Sequence, residues 1–104
     1  MRMHEFVAEQ YFSQTDATGA RRAAGAARHA AEELARGGVA IQLVRSIFIP
    51  EDETCLFIYE ADALESVRVG AERSGLVFDR IAQAAGELED EPIANAQARK
   101  GSLP

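Results

Sequence analysis

Residues 39–50 and 54–60 form two apolar runs joined by an acidic turn, and both carry hydrophobic side chains at odd and at even positions. Successive side chains of a strand point to opposite faces of its sheet, so strands apolar at both parities need cover on both faces. Across the hairpin Val44 and Phe48 group with Phe57 and Tyr59 on one face, and Ile41, Leu43 and Ile47 with Leu56 and Ile58 on the other. A chain of 104 residues has few helices with which to cover both sets. The linking turn, Pro50-Glu51-Asp52-Glu53, is short enough to favour an antiparallel hairpin. An uncovered set would leave an apolar patch of roughly several hundred Å², large for a monomer and suited to association. A second copy of the chain is the simplest cover.

The flanking sequence supplies the rest of a small domain. Residues 4–12, with Phe6, Val7, Tyr11 and Phe12, read as a first strand. Thr15 or Asp16 offers an N-cap oxygen to an alanine-rich helix that runs to about Arg36 and stops at Gly37-Gly38. Ala20, Ala23, Ala27, Ala30, Ala31 and Leu34 recur at helical spacing, a stripe of small residues that lets the helix approach a sheet closely. Gly19 and Gly25 each cost up to about 1 kcal/mol against alanine inside a helix, and close helix contact is the favoured reason for them. After the hairpin, Asp62 precedes Glu65 by three residues, close to a capping box, so a second helix starts near Ala63. Leu64, Val67 and Ala71 make its buried stripe, Arg68 and Glu72 an exposed ion pair, and Gly75 its stop. Residues 79–85 read as a last, weaker strand.

The order βαββαβ, in two similar halves, predicts an α+β domain of ferredoxin-like type, with an antiparallel sheet and both helices on one face. That domain covers residues 1–86, and residues 87–104 are an acidic C-terminal tail. The other face would meet its copy in a dimeric α+β barrel enclosing a lumen.

Composition narrows the function. With 47% hydrophobic and 27% charged residues the chain is of the soluble globular class. No apolar run approaches the roughly 20 residues of a membrane span, and the N-terminus lacks the apolar core of a signal peptide. The expected location is cytoplasmic, which suits a lone cysteine, Cys55, read as a buried thiol. A net charge of −6 argues against nucleic acid, which needs a basic patch to displace counterions. Arg21, Arg22 and Arg28 share their helix with Glu32 and Glu33 and read as a solvated face.

No catalytic or metal-ligand motif stands out, so site candidates come from the lumen. Glu9 is placed to act as a general base if buried, Tyr11 and Tyr59 as hydrogen-bond partners, and Arg45 as the group that orients an anion or enolate. Gln42, Ser46 and Glu60 are further polar candidates. Together they would serve a ligand-binding pocket, or a small cofactor-independent enzyme carrying out proton transfer or cyclisation on an apolar molecule. The alternative is a structural Glu9–Arg45 pair. Glu51, Asp52 and Glu53 read as solvated charges that discourage edge aggregation.

Several segments carry a resemblance: residues 46–55, Tyr59-Glu60-Ala61, residues 71–76 and Asp79-Arg80-Ile81. Across residues 5–85 the chain resembles the family named domain of unknown function 4242, which includes small bacterial proteins described as nickel-binding. The resemblance implies a ferredoxin-like dimer and nickel or another transition ion as ligand. It also brings differences, since Gln10, Ala71 and Leu76 stand where nickel-binding members carry histidines. Such ions favour clustered imidazole, thiolate and carboxylate ligands, and the chain offers His4, His29 and Cys55. His4, recruited from each subunit, is the metal candidate. Near the C-terminus, Gly101-Ser102-Leu103 resembles the heart of peptides that load cargo into encapsulin shells.

Overall fold

The computed structural model describes residues 2–93. Four strands, β1 (His4–Tyr11), β2 (Ile41–Ile49), β3 (Thr54–Ala61) and β4 (Arg80–Gln83), alternate with two helices, α1 (Ala17–Arg36) and α2 (Leu64–Ser74), in the order βαββαβ. They form one antiparallel sheet in the order β2-β3-β1-β4. Each helix therefore connects two strands that are separated by a third, the split βαβ connection of ferredoxin-like folds. Among the described residues no helix is long and apolar enough to cross a membrane.

Local chemistry explains where the helices begin and end. The Asp16 carboxylate accepts the Gly19 N–H at 2.9 Å and caps α1. A Cβ on Gly19 would collide with that carboxylate, whereas one on Gly25 would meet nothing within 4 Å. Close helix contact, the expected reason for both glycines, therefore holds for neither: Gly19 makes room for its own cap, and Gly25 is exposed. For α2 the N-cap position is Ala63 and has no side-chain cap. Asp62 instead accepts the hydroxyl of Ser66, one turn on. Gly75 closes α2 with a left-handed φ of 77°, and its N–H reaches the Ala71 and Glu72 carbonyls. The Arg68 ion pair forms with Glu65, at 4.0 Å, rather than with Glu72.

Both helices pack on the same sheet face. Phe6, Ala8, Leu43, Phe57, Tyr59 and Val67, each at most 2% exposed, centre a single core with the α1 alanines and Leu34 above them. At Gly70 of α2 an added Cβ would lie 3.2 Å from Ile41 Cδ1, so the helix rides tightly over β2.

One irregularity changes which residues share a face. Leu43 pairs with Tyr59 and Arg45 with Ile58, leaving Val44 as an extra residue, a β-bulge. Before it Ile41 and Leu43 face the helices; after it Ser46 and Phe48 do. Strict alternation grouped Ile47 with Ile41 and Leu43, and Phe48 with Val44, and the bulge overturns that grouping. The Arg28 guanidinium donates to the Leu43 carbonyl at 3.0 Å, covering an acceptor at the bulge on this edge strand.

Beyond β4 the Ala84 N–H still reaches the Glu5 carbonyl at 2.8 Å, and residues 84–93 form no helix or strand. The rest of the tail, with Gly101-Ser102-Leu103, lies outside the described residues.

Candidate functional site

The sheet face away from the helices carries the candidate site. Because β1, β3 and β4 alternate regularly, the residues between core positions point to this side: Val7, Leu56, Ile58 and Ala82, joined by Ile47 of β2 after the bulge. These aliphatic side chains remain half-buried, and among the described residues no helix or strand lies over them. Polar residues surround them, and the register fixes their order. Glu5 lies opposite Glu60, Gln42 also opposite Glu60, Arg45 opposite Ile58, and Glu9 between Leu56 and Arg80.

Three of the four pocket candidates meet on this face. Glu9 is engaged by Arg80, whose guanidinium lies 3.2 Å from its carboxylate, and not by Arg45. Arg80 adjoins Asp79 in the sequence, but antiparallel pairing of β4 brings it across to Glu9. Asp79 instead accepts the Tyr11 backbone N–H at 2.7 Å. Tyr11 itself is 60% exposed, and Arg45 is exposed.

Tyr59 does not join them. It points to the opposite side, under the helices, where it is 0% exposed and its ring meets Phe78 edge-on at 6.2 Å. Its hydroxyl has no hydrogen-bond partner among the described residues, and burial pushes its pKa up to about 12. Ser46 also faces the helices, its hydroxyl without a partner among the described residues. Neither side chain can line a chamber on the open face.

The possible metal donors are scattered. His4 pairs with Ala61 on the helix side and borders a 570 Å³ cleft at one end of the sheet, with Arg2, Glu5, Glu60 and Glu87 among its walls. Cys55 lies six positions along β3 from Ala61, about 20 Å at strand spacing, and is buried, which pushes its thiol pKa up. His29 sits on α1 with its Nε2 3.1 Å from Glu33. Among the described residues no three His, Cys, Asp or Glu side chains gather closely enough to hold a metal ion. The donor set of one chain therefore does not fit nickel.

The acidic turn is occupied by structural work. Pro50–Asp52 form a single 3-10 turn, Glu53 adopts a left-handed φ of 50°, and its carboxylate accepts the Gln14 N–H at 3.1 Å. Sequence reasoning omitted Glu5 from this face, although its parity with Val7 and Glu9 was the available signal.

No family model and no curated protein matches the chain. Among solved structures the chain is similar to a crystal structure of SCO4226 from Streptomyces coelicolor A3(2), at 19% sequence identity and a TM-score of 0.59. The likeness covers 81% of this chain and 99% of that one. At that identity it establishes the fold alone: a small α+β domain with a four-stranded antiparallel sheet and two helices.

Proposed function

We propose that this chain is a cytoplasmic, homodimeric ligand-binding protein of the domain of unknown function 4242 family, in which two open sheet faces meet as an α+β barrel and hold a small molecule between them. The observation that carries the reading is the half-buried aliphatic centre Val7, Ile47, Leu56 and Ile58, which no helix of the described residues covers and which polar residues surround. An apolar floor with a few polar groups at its edge is the usual composition of a small-molecule site. Nickel, the ion implied by the family resemblance, is a poorer occupant, because the donors of one chain are scattered. The enzyme reading is weaker too. Its base, Glu9, is engaged by Arg80, and Tyr59 points away from the chamber.

The test is titration with the apolar anionic dye 1-anilinonaphthalene-8-sulfonate alongside calorimetry with nickel chloride. The reading expects one saturable dye site per dimer, lost when Leu56→Trp fills the chamber, and no stoichiometric nickel uptake. A protein that binds no dye overturns the ligand reading, and tight nickel uptake abolished by His4→Ala replaces it with the metal.

A further inference from the structure

Resting on the proposed homodimer, we infer that Arg45 of each protomer pairs with the Glu5–Glu60 carboxylates of its partner, so that each end of the chamber is completed by the other chain. The inference begins with an imbalance of charge on the open face. Glu5 and Glu60 lie directly opposite one another in the β1–β3 ladder. Side chains so placed have Cβ atoms about 4.5–5.5 Å apart, and like charges there are destabilising.

Among the described residues neither carboxylate has a basic group within 4 Å. Other cations are committed elsewhere, Arg80 to Glu9, Arg73 and His29 to Glu33, and Arg68 to Glu65, while Arg21, Arg22 and Arg36 belong to α1 on the opposite side of the sheet. Arg2 borders the same cleft without forming an ion pair. Arg45 is the complementary case, an exposed guanidinium on the same face that makes neither an ion pair nor a hydrogen bond among the described residues.

Arg45 stands opposite Ile58, one ladder step from Glu60, so its long side chain could instead turn to Glu60 of its own chain. Glu5 decides between the two: it stands on β1, two strands from Arg45 on β2, so a pair within one chain leaves it facing water alone. If a second sheet covers Ile58 and Val7, it removes water from both charge types at once, and an unpaired charge left there is strongly unfavourable. Pairing across the two-fold axis relieves the guanidinium of one chain and the carboxylate pair of the other in the same contact. It also sets the register of the two sheets, because opposite charges favour one alignment and like charges resist others.

The test is complementation between Arg45→Glu and the double variant Glu5→Lys/Glu60→Lys, each checked for native circular dichroism. Each variant alone should dimerise roughly tenfold or more weakly than the natural chain, since its interface opposes like charges. Mixed together they should form a one-to-one heterodimer at near-natural affinity, because both contacts then join opposite charges. Absence of rescue overturns the inference, and so does a coupling of Arg45 to Glu60 that persists in a double-mutant stability cycle at concentrations where the chain is a monomer, the mark of a pair within one chain. Unchanged dimerisation of the single variants overturns it as well, while the homodimer itself stands. A natural chain that never dimerises removes the proposed function instead. Should a variant fail to fold, the natural dimer supplies a second readout. Raising salt from about 0.05 to about 0.5 M should weaken it several-fold, and a flat response contradicts the pairing.

Discussion

Replacing Tyr59 by phenylalanine should stabilise this protein. The ring is fully enclosed, in contact with Phe78 and flanked in the ladder by Phe6 and Leu43, yet its hydroxyl has no partner among the described residues. An unpaired buried hydroxyl costs about 1–3 kcal/mol, and Tyr59→Phe keeps the packing while removing that cost. The expected gain is therefore about 1–3 kcal/mol, read as a higher urea midpoint at unchanged slope and fixed protein concentration. The same site governs alkaline stability. Burial raises the Tyr59 pKa from 10 to about 12, so the folded state holds its proton where the unfolded state has released it. That linkage is intact below pH 10 and is lost as pH rises towards 12, a difference of about 2–3 kcal/mol. Tyr59→Phe should abolish this alkaline loss and leave dye binding unchanged. A loss of more than about 1 kcal/mol at neutral pH would refute the reasoning, because it would mean that the hydroxyl holds a favourable bond.

Other expectations follow from the helices and the core. Gly25→Ala should stabilise by about 1 kcal/mol in urea titration, since helix propensity improves and a Cβ there meets nothing. Gly19→Ala should give no gain or a net loss, because the same improvement is offset by about 0.5–2 kcal/mol of lost Asp16 capping. Cys55 is 1% exposed with its thiol pKa raised by burial, so a disulfide reagent should label it only as fast as the protein opens. Rapid labelling of the native protein would contradict that placement.

The elements were legible because their signals are local. The alanine stripe of α1, the Asp16 cap, the acidic turn and Gly75 each act within a few residues of themselves. The facing of the sheet was not legible. In β3 the residues Phe57 and Tyr59 are as apolar as Leu56 and Ile58, so no amphipathic asymmetry tells which pair lies under the helices. The bulge at Val44 was equally hidden, since no glycine or proline marks it, and it reverses the facing of half of β2. The Glu9–Arg80 pair depends on the register of β4, a contact between residues 71 positions apart that no local pattern encodes. Asp62 looked like a cap because its spacing to Glu65 imitates one, but Ser66 competes for its carboxylate.

The central claim is that the open face is covered by a second copy, and sedimentation equilibrium at micromolar concentration of the natural chain and of Val7→Asp tests it most directly. The account predicts a particle of about twice the 11.3 kDa chain mass for the natural protein and a folded single chain for the variant, whose carboxylate, between Ile58 and Ala82 in the ladder, would be buried unpaired at the centre of the face. A natural protein that sediments as a single chain, or a Val7→Asp variant that dimerises as tightly as the natural one, would contradict it.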